Sequence, residues 1–582
     1  MLFGAIVHAA LALRSPSPWI VPDELIYSDL AKSMGDGGLP AVRDEVTFAY
    51  GLGYPLLLAP IWAVFGDVTT AYAAAKVLNA IVLSLTAVPA YFLARRFVAE
   101  RSALLAAALS IAVPSMLYAG TLMTEVALYP AFVLALLAIA AALERPAVST
   151  QLGALAAIGL AATIKMLAAV LVLAYVASIA LFHWLDTRQA GHFGSRMRLY
   201  TPTWAALGGA GLVWCGVLIA WRMSPLDLLG AYSVVVANID VLAVPWWALL
   251  HVAELDLYVA VIPFAATLGV IWRGVRRTAA PRERLFVALV VPSSLAVILA
   301  VSAFASTRYP GGSEYPENIA RLGERNSFML APLFLIGLVL LFERQALSRN
   351  EIVVTAAVAA VLPALIPLDQ FFEDPLPELT GLFPWIWINS KDVVAWPAAW
   401  LLLGALLAGL YVSRSRIVLA VAPIACVYAA STMLTYGGMA SASTSTKSQG
   451  LGGAPDWIER AADGDSVSVL WSESGPGRFA PYDATQSPLW LGEFFNRNVG
   501  RVFELGTPLP FGLPSTAVIL QGDRVVLEDG TPADLGEIVL APCHIHVSGE
   551  EIARDPSTGA RLVRVGRPIQ AIVRAKGKCL GT

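Results

Sequence analysis

Long apolar segments separated by short polar loops fill most of the chain. A helix that crosses the hydrocarbon core of a bilayer takes roughly 20 apolar residues, and about thirteen segments fit this pattern. Their centres lie near residues 8, 82, 110, 133, 158, 175, 212, 262, 296, 335, 359, 402 and 426. Thr163 and Lys165 interrupt the stretch around 158 and 175, which is either two short helices or one long kinked helix. The pattern predicts a polytopic α-helical membrane protein with about 13 transmembrane helices.

The first apolar segment is shorter than the others. Leu2 to Leu13 would form about 18 Å of helix, against a hydrocarbon core of roughly 30 Å. No positively charged residue precedes the run, as one would in a cleaved signal peptide. We therefore interpret the segment as part of a span, from a late start site or a truncated chain.

Arginine residues mark the loops that follow the even-numbered spans. Examples are Arg95, Arg96 and Arg101 after the second, Arg188, Arg196 and Arg198 after the sixth, Arg273, Arg276, Arg277, Arg282 and Arg284 after the eighth, Arg344 and Arg349 after the tenth, and Arg414 and Arg416 after the twelfth. Basic residues of short loops stay on the cytoplasmic side. This rule places the loop at 14–68 outside, together with everything after about residue 438.

The outside loop at 14–68 carries its own helical pattern. Asp23 to Met34 places apolar residues near one face, with Pro22 just before it and glycines from Gly35 onward. It predicts a helix that lies on the membrane surface. A second segment, Tyr54 to Phe65, is almost wholly apolar. The loop is either a lid over a cavity at membrane level or a packed connector.

The composition changes after about residue 438. Residues 438–453 are rich in Gly, Ser and Thr and predict a linker between a transmembrane domain at 1–437 and an external domain at 454–582. Short β-rich runs follow at Ser466–Trp471, Arg501–Leu505, Ala517–Gln521, Arg524–Glu528, Glu537–Leu540, Arg561–Val565 and Gln570–Arg574. They predict a small extracytoplasmic β-sandwich. Its aromatic residues Trp457, Trp471, Trp490 and Phe494 either stack on sugar rings, as in a carbohydrate-binding module, or form its core.

The four cysteines divide by location. Cys215 and Cys426 lie in predicted spans, where we interpret them as core residues. Cys543 and Cys579 fall in the external domain, and an oxidising compartment makes this pair a disulfide candidate.

Composition excludes two broad classes of function. The 582 residues are 57% hydrophobic and 14% charged, with a mean hydropathy of +0.69, far more apolar than a soluble enzyme. A net charge of -3 without any Lys/Arg-rich run gives no reason to expect nucleic acid as a partner. The remaining setting is the bilayer, with a multi-pass protein of the plasma membrane.

Carboxylates just outside the bilayer are candidates for chemistry. Asp23 and Glu24 open the surface helix, where acids are also favoured by the helix dipole, so the pair could simply cap the helix. Glu125, in TLMTEVALYP, lies at the outer end of the third and fourth spans. A carboxylate among apolar residues is costly unless it has a partner or a task.

Basic residues lie at the same level, against the usual cytoplasmic preference. Lys165 breaks the stretch between the fifth and sixth spans, and Arg321 and Arg325 precede the tenth. Each therefore needs an anionic partner. The partner is either a lipid phosphate or one of the acids Glu24, Glu125 and Glu324.

His251 and Glu254 lie one helical turn apart near the start of the eighth span. They either line a cavity or hydrogen-bond to each other.

The chain resembles the GT-C superfamily of integral-membrane glycosyltransferases over roughly its first 185 residues. The resemblance rests on VPDELIYSDLAKSM followed by YGLGYPLLLAPIW, on the arginine-rich loop after the second span, on MTE and TIK, and more weakly on ERNSFMLAPLF. The most similar branch contains the aminoarabinose transferases and protein O-mannosyltransferases. The resemblance implies a polyprenyl-phosphate sugar as donor, with a glycan, lipid or protein as acceptor.

The resemblance also assigns roles to residues. An aspartate in the first outside loop is the catalytic base of such enzymes, which corresponds to Asp23, with Glu24 beside it. An acid of the second outside loop corresponds to Glu125. Candidates for binding the carrier phosphate or substrate are Lys165, Arg321, Arg325, Tyr27, His251 and Glu254.

The implied chemistry suits these residue types. A lipid phosphate is a competent leaving group, so the protein must deprotonate the acceptor hydroxyl and stabilise the charge of the departing phosphate. Direct displacement would invert the anomeric centre. No Walker-type loop or GxGxxG fingerprint is present for a nucleotide sugar.

Metal binding stays open at this point. Some relatives in the superfamily use a divalent cation with carboxylates and others do not. The sequence contains no HExxH and no CxxC motif.

Two other functions fit part of the pattern. Intramembrane acids and bases also mark the paths of secondary transporters, and the external domain would suit a non-catalytic cell-envelope protein for sugar binding or assembly. Against a transporter, the two halves show no repeat and the charges gather at the outer surface. A transferase predicts that Asp23, Glu125 and a basic residue converge on one cavity that is open both to lipid and to the outside.

Overall fold

The computed structural model describes residues 1–582 except 21, 188–192, 227–232, 277, 308–321, 345–346, 369–378, 391–416, 452–453, 472–486, 507–512, 557 and 574–582. The predicted span near 402 and the candidate residues Arg321 and Cys579 lie outside the described residues.

Helices dominate the chain up to residue 450. In order they are α1 (Leu2–Ala12), α2 (Asp23–Gly35), α3 (Gly53–Val64), α4 (Val68–Leu85), α5 (Ala87–Ala94), α6 (Glu100–Ser110), α7 (Glu125–Glu144), α8 (Val148–Ile164), α9 (Val170–Thr187), α10 (Phe193–Met197), α11 (Thr201–Trp221), α12 (Ser233–Ala237), α13 (Val244–Tyr258), α14 (Ile262–Gly274), α15 (Pro281–Ala305), α16 (Ala331–Arg344), α17 (Arg349–Val361), α18 (Phe383–Ser390) and α19 (Ile417–Gly450). Each predicted span centre other than 402 lies on one of these helices.

Six helical segments of the described chain are long and apolar enough to cross a membrane: Val68–Ala94, Glu125–Glu144, Met166–Asp186, Phe193–Trp221, Pro281–Ala305 and Ala420–Ser448. Two bent pairs raise the number to eight: Glu100–Ser110 with Pro114–Gly120, and Val244–Tyr258 with Ile262–Gly274. Four shorter apolar helices, Leu2–Ala12, Gly53–Val64, Val148–Ile164 and Asn350–Leu365, accompany them. The protein is thus a polytopic helical membrane protein, and the predicted count of about thirteen spans is not confirmed.

The interrupted stretch around Lys165 is two helices. α8 ends at Ile164, and Lys165 adopts an extended backbone with φ -148° and ψ 122°. A 3-10 turn, Met166–Ala169, then leads into α9. The break lets a charged side chain leave the helix at the end of the span.

The outside loop forms the predicted pair of helices with a hairpin between them. α2 and α3 agree with the predicted segments to within about a residue at each end, which is the usual uncertainty of helix ends. Strands β1 (Ala41–Val42) and β2 (Glu45–Val46) pair in antiparallel register. Apolar residues of α2, including Leu25 and Leu30, are buried, so the loop packs against the transmembrane core.

The segment predicted as a linker at 438–453 is helical up to Gly450 and not a flexible connection. α19 continues as a helix to Gly450, and its Met439 and Ser443 are buried. Gly, Ser and Thr favour flexible chains only where nothing packs against them. Here Ser17 donates through its hydroxyl to the Ser443 carbonyl oxygen at 2.7 Å, which ties the helix to the loop before α2.

The C-terminal domain is an α/β unit rather than the predicted β-sandwich. Its elements are α20 (Trp457–Ala461), β3 (Val467–Trp471), α21 (Ser487–Phe495), β4 (Val499–Leu505), β5 (Thr516–Gln521), β6 (Arg524–Leu527), β7 (Ile538–Ala541), β8 (Ile545–Val547), β9 (Gly549–Arg554), β10 (Arg561–Val565) and β11 (Ala571–Val573). One mixed sheet has the order β6-β5-β4-β3-β7-β10-β9, and β11 pairs with β8 separately.

The central strands of this sheet are parallel, unlike the strands of the predicted sandwich. β3 pairs in parallel with both β4 and β7, and all five residues of β3 are buried. Continuous burial is typical of a parallel strand covered on both faces. Trp471, Trp490 and Phe494 are buried too, so they form core and interface instead of an exposed platform for sugars.

The cysteines follow the predicted division in part. Cys543 is disulfide-bonded, as expected for a domain in an oxidising compartment. Cys215 and Cys426 are free thiols on exposed positions of α11 and α19, so the prediction that they are core residues is wrong.

Candidate active site

Acidic and basic side chains from distant parts of the chain meet in one cluster. Lys165 Nζ lies 2.7 Å from Glu125 Oε1, and Arg325 Nη1 lies 3.0 Å from Asp23 Oδ2. Arg325 Nε is also 3.9 Å from the same Glu125 oxygen, so the two ion pairs form one network. Lys165 further donates to Asn326 Oδ1 at 2.6 Å. Asp23, Glu125, Lys165 and Arg325 thus meet in the folded chain.

Each member stands at the end of a secondary-structure element. Asp23 opens α2 and Glu125 opens α7. Lys165 follows α8, and Arg325 lies in a 3-10 turn, Glu324–Asn326. Residues at element ends are anchored by the adjoining helix or turn. The cluster therefore has rigid support on several sides.

Exposure increases in order across the cluster. The side chain of Glu125 is 0% exposed and that of Lys165 is 11% exposed, whereas those of Arg325 and Asp23 are 21% and 32% exposed. Glu125 thus lies at the bottom, where its charge is offset by two cations. Asp23 lies at the rim, where a second molecule can reach its carboxylate.

Glu24 points away from this cluster and into the protein. Its carboxylate accepts hydrogen bonds from the N–H groups of Trp19 at 2.7 Å, Ile20 at 2.9 Å and Leu122 at 3.0 Å, and from the Tyr72 hydroxyl at 3.1 Å. Burial raises the pKa of the Glu24 carboxyl, and the backbone N–H donors oppose that rise. Glu24 joins the start of α2 to the segment before α7, so it fixes the two elements that carry Asp23 and Glu125.

Glycines bring the outside loop onto the cluster. A Cβ added to Gly51 would lie 2.1 Å from the Ile164 carbonyl oxygen, and one added to Gly53 would lie 2.7 Å from Ile164 Cγ1. Only glycine permits such close approach. Since Lys165 follows Ile164, the loop covers the segment that presents this lysine. Sequence reasoning used the YGLGYP run for its resemblance and missed this packing role.

Tyrosines line the same region. The Tyr27 ring makes an edge contact with the Tyr54 ring, with centroids 6.0 Å apart, and the Tyr54 hydroxyl donates to Asn79 Oδ1 at 3.1 Å. Burial raises the pKa of the Tyr50 hydroxyl, and the charge of Asp23 adds to the rise. Tyr50 is thus a neutral neighbour of Asp23 that sequence reasoning did not single out.

His251 supports the turn that carries Arg325. Its Nε2 accepts a hydrogen bond from the Gly323 N–H at 3.2 Å. The ring proton is then on Nδ1, which donates to the Trp247 carbonyl oxygen at 2.7 Å. Both ring nitrogens are used in this way, so the predicted alternative of a His251–Glu254 hydrogen bond is not formed. Glu254 is itself fully buried.

Glu324 anchors the same turn from the other side. Its carboxylate accepts hydrogen bonds from the Gly381 N–H at 2.7 and 2.9 Å and from the Leu382 N–H at 3.0 Å. Burial raises the pKa of Glu324 to about 7. Glu324 is therefore not the partner of the cluster cations that the sequence left open. The partners of Lys165 and Arg325 are Glu125 and Asp23.

The cluster does not fit a resident divalent cation. Lys165 and Arg325 occupy the space around Glu125 and Asp23, and a cation there would have to displace them. Over the described ranges, no group of three or more His, Cys, Asp or Glu side chains is arranged to hold a metal. The cations of the site are its own side chains.

Comparison with known proteins finds a similar family over part of the chain. Residues 51–197 match the model of a family described as dolichyl-phosphate-mannose-protein mannosyltransferase. The matched segment includes Glu125 and Lys165. No curated protein matches the chain in sequence. The matched segment is about a quarter of the chain, and over that segment the chain is similar to this family.

Solved structures of two proteins are similar to this chain. The apo crystal structure of ArnT from Cupriavidus metallidurans has a TM-score of 0.50 and 15% identity, covering 97% of both chains. ArnT from Cupriavidus metallidurans bound to undecaprenyl phosphate has a TM-score of 0.46 and 13% identity, covering 97% of this chain and 96% of that chain. The apo oligosaccharyltransferase of Archaeoglobus fulgidus has a TM-score of 0.41 and 12% identity, covering 88% of this chain and 65% of its own.

Proposed function

We propose that the protein transfers a sugar from a polyprenyl-phosphate donor to an acceptor hydroxyl on the extracytoplasmic side of the plasma membrane. The observation that carries the proposal is the cluster, which offers one carboxylate at its rim and two cations beneath it. A donor with a lipid tail and a phosphate head would enter from the bilayer. It would present an anion at the level of the two cations.

Asp23 is the general base of this proposal. Its partly exposed carboxylate takes the proton of the acceptor hydroxyl as the acceptor oxygen attacks the anomeric carbon. Arg325 holds the Asp23 side chain in one orientation through its contact at 3.0 Å. One base suffices for a single displacement, so the configuration of the anomeric carbon inverts.

Lys165 and Arg325 receive the leaving group. As the bond between the anomeric carbon and the phosphate oxygen breaks, its electron pair stays on the phosphate, and the two cations stabilise the added charge. Glu125 keeps both cations in place before the donor arrives, since it is fully buried and contacts each of them. The pairing also prevents two like charges from repelling each other in the empty site.

The topology of this proposal puts the cluster and the external domain outside. About thirteen crossings, with the shorter apolar helices completing the set, would bring the chain from the arginine-rich cytoplasmic loops to an extracytoplasmic C-terminal domain. α2 lies on the outer surface in this arrangement. The acceptor, a glycan, lipid or protein, then approaches from the same side as Asp23.

The base assignment is tested with the purified protein and a panel of polyprenyl-phosphate sugars. Asp23→Asn keeps the shape of the side chain but cannot take the proton, so transfer should fall by about 10²- to 10⁴-fold. Binding of undecaprenyl phosphate should change little, because Lys165 and Arg325 remain. Glu45→Gln, at an exposed carboxylate of the same loop, serves as the matched control.

Transfer that persists undiminished in Asp23→Asn would overturn the base assignment. Absence of transfer from every donor in the wild-type protein would overturn the function itself. Analysis of the product anomer by NMR tests inversion separately from the identity of the base.

A further inference from the structure

The hairpin between α2 and α3 turns through two residues in an unfavourable conformation. Arg43 and Asp44 have φ angles of 52° and 64°, in the left-handed region that normally favours glycine or asparagine. The hairpin itself is short, with two pairs between β1 and β2. Such a turn persists only where its surroundings fix it.

The C-terminal domain supplies those surroundings. Arg43 Nε lies 2.8 Å from Glu493 Oε1, and both side chains are 3% exposed. Arg43 Nη2 donates to Glu493 Oε2 at 3.0 Å, and Nη1 donates to the Pro514 carbonyl oxygen at 3.2 Å. The Asp44 side chain lies against Gly500 of the same domain, where an added Cβ would be 1.9 Å from Asp44 Oδ2.

Two further cations connect the same parts of the molecule. Lys32 of α2 donates to the Phe494 carbonyl oxygen at 2.8 Å, at the C-terminal end of α21. Arg497 donates to the carbonyl oxygens of Trp62 and Phe65 at 2.7 Å each, at the C-terminal end of α3. Carbonyl groups at helix ends lack partners within the helix and favour cations. The first outer loop and the C-terminal domain thus each donate hydrogen bonds to carbonyl groups at a helix end of the other.

The clamped hairpin leads directly to the active site. Tyr50 follows Asp44 by a few residues, and the pKa of its hydroxyl is raised by burial and by the charge of Asp23. Gly51 then packs onto the Ile164 backbone, next to Lys165. α2, which carries Asp23, begins the same loop. A shift of the hairpin would therefore move Asp23 and Tyr50, and would alter the packing of Gly51 beside Lys165.

We propose that the C-terminal domain holds the first outer loop in its catalytic conformation through Glu493, which fixes the Arg43–Asp44 turn. Glu493 is a positioning residue, since it contacts the loop and not the reacting groups. This inference rests on the proposed glycosyl transfer for its effect on rate. Its structural part, the clamp on residues 41–53, can be tested without any activity.

The test compares Glu493→Gln with Glu551→Gln, which removes a charge from an ion pair with Arg554 on the surface of the same domain. We expect Glu493→Gln to lower kcat by about tenfold or more, as misplaced catalytic groups do, with donor KM and undecaprenyl phosphate binding within about twofold. Hydrogen exchange of residues 41–53 should accelerate in this variant. Glu551→Gln should match the wild type in every measurement.

Two further variants test whether a loss of kcat comes from the Arg43–Glu493 ion pair and not from general destabilisation. The charge reversal Arg43→Glu with Glu493→Arg restores opposite charges and should recover a large part of kcat, while Arg43→Glu alone should not. Arg43→Gln removes the charge from the other partner of the same buried ion pair, and should mimic Glu493→Gln.

The inference is overturned if hydrogen exchange of residues 41–53 is the same in Glu493→Gln as in the wild type. It is also overturned if exchange accelerates but kcat is unchanged, because the loop conformation would then not matter for transfer. A wild-type protein with no transferase activity would refute the proposed function, and the exchange measurement would still decide whether the clamp exists.

Discussion

At the scale of single residues, Asp23 and Glu24 are neighbours in sequence that meet opposite surroundings. Glu24 is fully buried and accepts three backbone N–H groups and a tyrosine hydroxyl. Asp23 is 32% exposed and paired with Arg325. A carboxylate whose acceptor sites are filled cannot also take a proton from a substrate. The different directions of these two consecutive side chains on α2 therefore separate their roles.

A pH dependence follows from Glu324. Its pKa is raised by burial to about 7 in the folded protein, from the ordinary value of 4.5. Between pH 4.5 and about 7, Glu324 keeps its proton in the folded chain and releases it in the unfolded chain. The contribution of Glu324 to the free energy of unfolding is therefore complete below about pH 4.5 and is lost as the pH rises to about 7. We expect the thermal midpoint of the wild type to fall over this window relative to that of Glu324→Gln.

Glu324→Gln removes the titrating group while keeping one acceptor oxygen for the N–H groups at residues 381 and 382. The difference in unfolding free energy between the two proteins should change by at most about 1.4 kcal/mol per pH unit. Thermal unfolding in detergent at pH 5, 6, 7 and 8 measures it. Parallel curves for the two proteins would show that Glu324 does not titrate in this range.

Charged residues were the part of the site that the sequence could reveal. Lys165 and Glu125 are costly among apolar residues without partners, so their presence predicted that partners exist. Tyr50 and Asn326 carry no such penalty, and nothing in the sequence distinguishes them from other loop residues. The sequence could not show that Glu24 is buried, because burial depends on which way each side chain of a helix faces. That is a property of packing and not of neighbours in sequence.

At the scale of elements, the approach of the outer loop to the end of α8 is the critical contact. We expect Gly51→Ala to push the loop away from Ile164, because the new Cβ would meet the carbonyl oxygen at 2.1 Å. Transfer should fall by about 10²-fold, since a displacement of about 1 Å is enough for that loss. Steady-state kinetics with the best donor of the panel measures it.

Gly66→Ala is the matched control for this substitution. Gly66 lies just after α3, and a Cβ there would meet nothing within 4 Å. It should leave kcat unchanged. Equal losses in both variants would show that the effect is general destabilisation and not the contact with α8.

Helices were easier to predict than the strands of the C-terminal domain. Apolar length and periodicity are local properties, and they indicated α2, α3 and the break at Lys165 correctly. The pairing partners of a strand are set by contacts between distant parts of the chain. The buried run of β3 fits a sandwich or a parallel sheet equally well. α19 shows the same limit, because its Gly- and Ser-rich end is helical only through packing against the loop at Ser17.

At the scale of the whole molecule, the C-terminal domain and the candidate active site must lie on the same side of the membrane. α21 is joined to α2 and the hairpin by the buried contacts of Arg43 and Lys32, and no lipid layer can separate them. The arginine pattern predicts that this side is the outside. A single measurement of sidedness on the C-terminal domain therefore also locates Asp23.

Cysteine labelling in intact cells makes this measurement. In a background with Cys215 and Cys426 replaced by alanine, Gly566→Cys offers an open position, since a Cβ there meets nothing within 4 Å. A membrane-impermeant maleimide should label it without permeabilisation. Arg101→Cys, at an exposed position of α6 in an arginine-rich loop, should be labelled only after the membrane is opened. The reverse pattern would place the cluster in the cytoplasm, where the acceptor of an extracytoplasmic transferase could not reach Asp23.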